Sequence, residues 1–555
     1  MTAHGPGMDL GEWFLLAGER GNPSSRIDLR RGDDDPRVAW TEGNRGRVLV
    51  DGADYFSALH RELCESRPGD WVYFTDWQGD PDEQLDATGQ SIGDVLCELA
   101  TRGVEVRGLL WRSHPELMNF GEGKNLAFSR VVNEAGGEVL LDHRVRRGGS
   151  HHQKLFVIRR RDGDGARDVA YVGGIDLCHG RRDDRRHHGD PQVVELDDAH
   201  YGRQPPWHDL QIELQGPVVE DLAWSFAERW CDPTPLDTRN PVRATLHRAA
   251  RVPREPSPLA PTVCPPADGP LAVQVLRTYP SRRRAYPFAL GGERSIARAY
   301  LKAFGRARRL VYLEDQYLWS TEAGTALAAA LRRSPELQVV IVIPRYPDPD
   351  GAIAGAASRI GRERVLDLLF AAGGDRVAVY DLENDEGTPI YVHSKVCIVD
   401  DVWMAVGSDN LNRRSWTHDS ELSCAVIDSR LDERAPVDLT GVGDGARVLA
   451  RDTRLRLACE HLGLDDGDAD SLVDPDEWFA AFRRAAAEGD RWHREGGADW
   501  TSETAGPARP RPPGHLRVHP RDRVHGLRRL PLRAVHALLL DPDGRPPHLR
   551  RRTRL

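Results

Sequence analysis

Two short stretches of the sequence constrain the fold more than any other feature. SHHQKLFVI (residues 150–158) and YVHSKVCIVDD (residues 391–401) each read as a β-strand, and each has a lysine two positions after a histidine. The chain contains only four lysines, and two of them fall in these stretches. Because side chains alternate along a strand, each histidine should share one face with its lysine. A lysine on an apolar strand needs a nearby anion or an anionic ligand, since an isolated buried charge is costly.

The elements around the two stretches follow one another in the same order. In each half, helices with apolar residues at helical spacing alternate with short apolar strands, and the His-x-Lys strand and one further strand close the series. WVYFTDW, VEVRGLLW and EVLLD are the strands of the first half, and RLVYLEDQYL, LQVVIVIP and RVAVYDL those of the second. The repeat predicts an α/β protein of two similar lobes, each a largely parallel or mixed β-sheet flanked by helices.

Composition sets the expected boundaries of these lobes. We expect a first lobe at residues 49–250 and a second at 271–500, joined by a Pro-rich linker at 251–270. An N-terminal extension (1–48) and a basic Arg/Pro-rich tail (501–555) would flank them. We expect the tail to be solvated and partly disordered, with attraction to anionic lipid as the alternative.

The overall composition excludes several classes of protein. Hydrophobic residues make up 39% and charged residues 29% of the 555 positions, and no run is long enough to span a membrane. The first residues lack a secretory signal, so we expect a cytoplasmic protein, with contact at a membrane surface left open. The eight cysteines are scattered, which indicates a reduced compartment and no structural zinc site. A net charge of -10 argues against a nucleic-acid partner.

Each His-x-Lys strand is followed by a turn of small residues. The first turn contains Gly174 and Asp176, and the second contains Gly407, Ser408 and Asn410. Glycine lets a backbone approach a ligand closely, so we expect these turns to offer N–H, hydroxyl and amide donors to an anionic oxygen. Together with two histidines and two lysines, the turns predict a phosphate site.

The predicted site has the groups that cleavage of a phosphodiester requires. Lys154 and Lys395 would hold the non-bridging oxygens, one histidine would attack phosphorus, and the other would protonate the leaving alcohol. The chemistry requires no metal or other cofactor. Each imidazole needs an orienting acid, and our candidates are Glu421 for His393 and Asp209 for His152.

The two motifs resemble those of the phospholipase D superfamily, in which H-x-K-x(4)-D occurs once in each half. The second copy is complete as His393, Lys395 and Asp400, whereas the first has Arg159 where the aspartate would fall. HHQKLFVI, YVGGIDLCHGRRDD, PWHDLQIELQG and YLEDQYLWS are similar to phospholipases D of eukaryotic type and their bacterial relatives, over about residues 51–427.

The resemblance implies one active site between two lobes and cleavage of lipids such as phosphatidylcholine to phosphatidic acid and free alcohol. It suggests His152 as the nucleophile and His393 as the acid, although exchanged roles would leave the same sequence. It also suggests that Asp400 supports its strand and turn. The expected partner is a phospholipid at a membrane surface, and we expect a monomer.

Other functions and residues stay open on the sequence alone. A cardiolipin synthase-type phosphatidyltransferase would use the same intermediate, a nuclease is disfavoured by the acidic charge, and a membrane-binding protein with a decayed site is disfavoured by two intact His-x-Lys pairs. The charged run around His187 and His188 predicts a solvated loop rather than a metal or phosphoinositide site. Trp77, Trp111 and Trp319 would either line the substrate entrance or pack in the core.

Overall fold

The computed structural model of the chain describes most of its residues. The described residues are 8–27, 37–112, 122–161, 163–192, 200–236, 245, 256–259, 263–346, 351–497, 509–521, 523 and 529–550. Of the predicted linker, residues 256–259 and 263–270 are described, and residues 251–255 and 260–262 lie outside the described residues. Within them, no helix is both long and apolar enough to cross a membrane.

The first lobe is built on one mixed sheet. Its strands lie in the spatial order β4-β3-β2-β5-β6-β8-β1, with β2, β3 and β4 parallel to one another and the remaining pairs antiparallel. The strands of this lobe are β1 (Thr41–Val50), β2 (Trp71–Asp76), β3 (Glu105–Trp111), β4 (Glu138–Asp142), β5 (Leu155–Arg159), β6 (Val169–Gly173), the short β7 (Trp207–His208) and β8 (Leu210–Gln215).

The second lobe repeats this plan. Its sheet runs β9-β17-β16-β15-β11-β12-β13, and again the three strands β11, β12 and β13 are parallel. The strands of this lobe are β9 (Leu271–Tyr279), β10 (Glu293–Arg294), β11 (Leu310–Glu314), β12 (Gln338–Val342), β13 (Val377–Glu383), β14 (Pro389–Val392), β15 (Val396–Val399), β16 (Trp403–Gly407), β17 (Glu421–Asp428) and β18 (Leu516–Val518). The predicted fold class is confirmed.

Helices cover the sheets. In chain order they are α1 (Leu10–Trp13), α2 (Ala17–Arg20), α3 (Asp51–Cys64), α4 (Ile92–Thr101), α5 (Glu122–Glu134), α6 (Val218–Trp230), α7 (Ser295–Arg306), α8 (Thr321–Arg333), α9 (Gly351–Gly373), α10 (Arg413–Thr417), α11 (Val448–Leu462), α12 (Pro475–Arg494), α13 (Arg529–Val535) and α14 (Pro547–Arg550). Short 3-10 segments lie at Gly374–Arg376 and Asp466–Leu472, and a π-helical turn lies at His536–Leu540.

Both faces of each sheet are buried, which explains why the strands read as continuous apolar runs. In β15, Val396 and Ile398 enter a core shared by the two lobes, while Cys397 and Val399 enter the outer core beneath α7 and α8. The first lobe alternates in the same way, and its outer core lies beneath α3, α4 and α5. The two sheets therefore face each other across one apolar layer, which includes α6.

Strand pairings also join the lobes. β1 pairs with β8 of its own sheet and, around Thr41 and Val273, with β9 of the other. A second pairing is parallel and joins β7 to β14 through Tyr391 opposite Trp207. The seam that carries the predicted catalytic segments is thus held by backbone hydrogen bonds as well as by apolar packing.

Parts of the segments outside the lobes pack against the second lobe. Trp13, Phe14 and Leu15 belong to its outer core. In the basic tail, β18 adds to the sheet beside β13, and Leu516 is buried. The expectation of a solvated tail is wrong for this strand, because an apolar side chain and a free sheet edge were available to hold it.

The aspartate of the second motif supports a turn, as the sequence suggested. Asp400 and Asp401 have φ values of 53° and 54° and connect β15 to β16. The Asp400 carboxylate accepts the backbone N–H groups of Arg308, Arg309 and Leu310 at 2.8–2.9 Å. In the first lobe Arg159 pairs instead with Asp168, with Nε 2.8 Å from Oδ2. The missing first aspartate is therefore replaced by a different local contact.

We predict that Asp400→Ala lowers the free energy of unfolding by about 2–4 kcal/mol, because three backbone donors at the start of β11 lose their acceptor. Asp400→Asn keeps one carbonyl oxygen and should lose less. Urea denaturation of both variants, with the exposed Asp385→Ala as the control, measures the difference. A midpoint for Asp400→Ala equal to that of the wild type would contradict this role.

Candidate active site at the seam between the lobes

Both His-x-Lys pairs lie at the seam, but neither lies within a strand. β5 begins at Leu155, just after Lys154, and His393 and Lys395 occupy the break between β14 and β15. The expectation that the pairs lie on strands is wrong by these few residues. Because the backbone does not pair with a neighbouring strand at the His-x-Lys residues, the histidines turn toward the other lobe. The apolar residues that follow them stay in the sheet.

Each histidine is bonded to an acid from the opposite lobe. His152 Nδ1 lies 2.9 Å from Glu421 Oε2, and His393 Nδ1 lies 2.6 Å from Asp209 Oδ2. The two acids that the sequence indicated are the ones that contact the histidines, but each contacts the other histidine from the one expected. The reason is that each histidine segment is hydrogen-bonded to the backbone of the other lobe. The spacing of residues within each half of the sequence does not reveal these contacts between the halves.

Backbone hydrogen bonds between the lobes fix the pairing of each histidine with the acid of the opposite lobe. The His152 N–H donates to the carbonyl of Ser420 at 2.9 Å, which places Glu421 beside the first imidazole. The His393 N–H donates to the carbonyl of His208 at 2.8 Å, which places Asp209 beside the second. Ser408 contributes a further bond, since its hydroxyl donates to Glu421 Oε2 at 2.6 Å.

Both lysines are buried beside the histidines. Lys154 Nζ lies 3.3 Å from Asp176 Oδ1 and donates to the carbonyl of His152 at 3.2 Å. Lys395 Nζ donates to the carbonyl of His393. Burial lowers the pKa of Lys395 to about 8, against the opposing charge of Asp209. An anion bound between the two lysines would stabilise their charged forms.

The turns act differently from the prediction. The N–H groups of Gly174, Gly407 and Ser408 donate to backbone carbonyls within the protein, so they are not free for a ligand. A Cβ on Gly174 would lie 2.1 Å from Asp209 Oδ1, and one on Gly407 would lie 1.8 Å from Ser423 Oγ. The glycines therefore make room for neighbouring side chains, including the acid that orients His393.

Asp176 and Asn410 also lie in these turns. Asp176 is the carboxylate partner of Lys154. Although burial opposes it, the charge of Lys154, a hydrogen bond with the Asp76 side chain and the charge of Arg181 together lower the pKa of Asp176. Asn410 is buried, and its Oδ1 has no hydrogen-bond partner among the described residues. This open atom is a carbonyl oxygen, which accepts hydrogen bonds, so it is not the donor to an anionic oxygen that the sequence predicted.

The electrostatics of the site favour neutral imidazoles when no ligand is bound. Burial lowers the pKa of His152 well below its usual value, and the charge of Lys154 lowers it further. Burial and the charges of Lys395 and Arg181 do the same to the pKa of His393. A bound phosphodiester would offset these positive charges and raise both pKa values, so binding itself would favour an imidazolium that can act as an acid.

The two orienting acids differ in what acts on their pKa values. Burial raises the pKa of Glu421 well above its usual value, and the nearby Asp419 adds to the effect. Burial also raises the pKa of Asp209, but Lys395 and the backbone N–H of Leu210 oppose it. Asp209 is therefore the better partner for a positively charged imidazole.

Sequence reasoning gave no role to Arg181 or Trp207. The guanidinium of Arg181 lies 3.6 Å from the Trp207 ring centroid, and the Trp207 ring lies 4.9 Å from that of His393. Trp77 contacts His152 edge-on at 6.3 Å and stacks with Trp111 at 5.8 Å. Arg181 belongs to the quoted YVGGIDLCHGRRDD segment, but its position after a turn gave no sign that it enters the site.

A buried cluster of ionisable groups lies directly behind Asp209. Asp51, His187, His208 and Glu460 bring one potential metal-ligating atom each within 4.8 Å of one another, and His208, Glu314 and His461 form a second such group. His208 Nδ1 lies 3.0 Å from Asp51 Oδ1 and 3.2 Å from Glu460 Oε1.

In the described arrangement this cluster is an ion-pair network. Although burial opposes it, the charge of Asp51 and hydrogen bonds to Asp183 and Glu460 raise the pKa of His187 to about 10. The solvated-loop prediction is therefore wrong for His187, which is fully buried, and correct for the neighbouring His188, which is half exposed. The network fixes His208, whose carbonyl holds His393.

Two family models match the chain. The model described as "Phospholipase D" matches residues 72–325, and the model described as "Cardiolipin synthase, PLD-like domain" matches residues 300–435. The chain belongs to the phospholipase D superfamily.

Known superfamily members share modest sequence identity with the chain. Phospholipase D alpha 2 of Oryza sativa subsp. japonica is 24% identical over 610 residues, which cover 87% of this chain and 71% of the rice protein. Phospholipase D alpha 1 of Carica papaya is 25% identical over 501 residues, which cover 70% of this chain and 60% of the papaya protein. Among solved structures, phosphatidylserine synthase of Haemophilus influenzae Rd KW20 is 17% identical with a TM-score of 0.47, covering 69% of this chain and 82% of that chain.

Because each histidine is paired with an acid of the opposite lobe, we predict that replacing one acid affects one histidine selectively. Glu421→Gln should change the titration of His152 and leave that of His393 unchanged, while Asp209→Asn should do the reverse, as measured by NMR of labelled imidazole nitrogens. Each variant should also lose about 100- to 10,000-fold in kcat on any turned-over substrate, because an amide no longer fixes the productive tautomer. Asp385→Asn, which removes a surface partner of His188, is the matched control. A change in His393 caused by Glu421→Gln alone would contradict the pairing.

Proposed function

We propose that the protein is a phospholipase D-type phosphodiesterase that cleaves phospholipids such as phosphatidylcholine to phosphatidic acid and free alcohol. The observation that carries the proposal is the pair of histidines, one buried and one mostly buried, each bonded through Nδ1 to an acid and flanked by lysine. This arrangement leaves both Nε2 atoms for a substrate and has the cations that a phosphodiester anion needs.

In the first step, His152 Nε2 attacks phosphorus and the bond from phosphorus to the head-group oxygen breaks. His393, as imidazolium, gives its proton to that oxygen, so the alcohol leaves neutral. The assignment of roles is supported by Asp209, which Lys395 and the backbone N–H of Leu210 favour as a carboxylate and which is therefore suited to stabilise an imidazolium on His393.

In the second step, the phosphohistidine is resolved. Neutral His393 takes a proton from water while the water oxygen bonds to phosphorus and the bond from phosphorus to His152 breaks, which releases phosphatidic acid. Lys154, Lys395 and Arg181 would stabilise the charge on the non-bridging oxygens in both steps. An alcohol in place of water would give a transferred phosphatidyl group.

A phosphatidyltransferase of the cardiolipin synthase type is the second candidate, because a cardiolipin synthase model matches residues 300–435. It would share the first step and use a lipid alcohol in the second. The product distinguishes the two: phosphatidic acid in water for the hydrolase, and a phosphatidyl-alcohol for the transferase even when acceptor is scarce. We place the activity in the cytoplasm or at a membrane surface, with a monomer as the working unit.

Turnover of purified protein on labelled phosphatidylcholine in the presence of chelator tests the proposal. We expect release of the head group and phosphatidic acid by the wild type, and a loss of at least about 1,000-fold for His152→Ala and His393→Ala. His188→Ala is the matched control, since this histidine is half exposed and its ring contacts the surface carboxylate of Asp385 at 2.7 Å. Cleavage of DNA without release of the head group would overturn the lipid proposal, and full activity in either active-site variant would overturn the two-histidine mechanism.

A further inference from the structure

Three segments of the chain meet near the segment that carries Asp419 and Glu421, and we refer to them as the rim segments: residues 144–150, 281–292 and 529–550. Arg146 joins all three, because its Nη1 donates to the carbonyls of Ser281 at 2.5 Å and Gly544 at 2.9 Å. The rim segments therefore form one continuous surface.

A second arginine ties this surface to the catalytic loop. The backbone N–H of Arg414 donates to Asp541 Oδ1 at 2.7 Å, and its side chain reaches the carbonyls of Gly148 and Leu539. The same side chain donates to Asp419 Oδ2 at 2.6 Å, two residues before Glu421. The rim segments thus lie one side chain away from the loop that orients His152.

Large apolar side chains project from the rim segments into solvent. Leu530, Leu538 and Leu539 of the tail are 71%, 73% and 67% exposed, and Leu290 is 63% exposed. In contrast, His536 of the same tail is buried, with its ring 5.0 Å from that of Trp319. The tail is therefore fixed to the protein on one side and presents leucines on the other.

The charge of the rim segments has a single sign. The exposed charged side chains are all arginines, at positions 147, 283, 284, 533 and 550. The segments contain only two acidic residues, Asp541 and Asp543. Asp541 is buried, and Asp543 is paired with Arg545 and mostly covered. A surface whose exposed charges are all positive is unusual in a chain with a net charge of -10.

We propose that the rim segments are the surface by which the protein docks on an anionic phospholipid bilayer. Exposed leucines among arginines match the two attractions that a bilayer interface offers, apolar burial at the acyl boundary and charge pairing with anionic head groups. The choice of a lipid partner rests on the proposed function, and the position beside the catalytic loop would present the site to the membrane that holds its substrate.

Vesicle sedimentation tests docking separately from catalysis. The protein carrying His393→Ala serves as the background, so that no lipid is consumed. We expect it to bind vesicles of phosphatidylcholine with phosphatidylglycerol more tightly than vesicles of phosphatidylcholine alone, and binding should weaken as salt increases. Adding Leu538→Ser and Leu539→Ser should weaken binding about tenfold or more. Val437→Ser with Val442→Ser, which alters exposed apolar residues of another loop, should bind normally.

A charge variant and a soluble substrate complete the test. Arg283→Glu, Arg284→Glu and Arg533→Glu together should abolish the preference for anionic vesicles without touching the leucines. With His393 restored, both rim variants should turn over a dispersed short-chain phosphatidylcholine at the wild-type rate, which also reports that they fold, and should lose activity on vesicles.

Unchanged vesicle binding by both rim variants, or no binding by the parent protein, would overturn the docking proposal. Absence of turnover on dispersed and vesicle substrates by the wild type, with vesicle binding intact, would instead count against the proposed function alone.

Discussion

The structure depends on backbone hydrogen bonds that join the two lobes at the candidate site. Two backbone hydrogen bonds, from His152 N–H to Ser420 and from His393 N–H to His208, bring the His-x-Lys segment of each lobe against an acid-bearing segment of the other. The shared apolar core and the β7–β14 pairing hold these contacts in register. Neither lobe alone contains a histidine with its orienting acid, so a complete site requires both lobes in their observed arrangement.

Burial explains most of the site's chemistry. Both imidazoles, both lysines and both orienting acids are largely removed from water, which shifts the balance of their charges and leaves the site poised for an anion. Behind Asp209, His187 and His208 form ion pairs with carboxylates from both lobes. The segment that carries Asp209 is therefore held by electrostatic attraction as well as by packing. The geometry of the candidate site and the association of the lobes therefore rest on the same contacts.

Much of the fold could be predicted from the sequence, because the alternation of apolar strands and amphipathic helices is local information. The His-x-Lys pairs, Asp209 and Glu421 were also accessible, since their residue types and their repetition point to one chemistry. Their pairing was not, because the assignment of Glu421 to His152 depends on contacts between residues more than 260 positions apart. The glycine turns were misread for a related reason: a missing side chain signals a close approach, but not whether a ligand or the protein itself approaches. Arg181, the burial of His187 and the packed strand at Leu516 likewise depend on tertiary contacts.

The central claim is that His152 forms a covalent bond to phosphorus while His393 supplies and removes protons. Phosphatidyl-p-nitrophenol tests it directly, because p-nitrophenolate leaves without needing a proton. Mixed with this substrate, the His393→Ala protein should release about one equivalent of nitrophenol in a burst and then stall, since the base that activates water is absent. Mass spectrometry of the stalled protein should locate the phosphatidyl group on His152. A burst without an adduct, or an adduct on any other residue, would contradict the account.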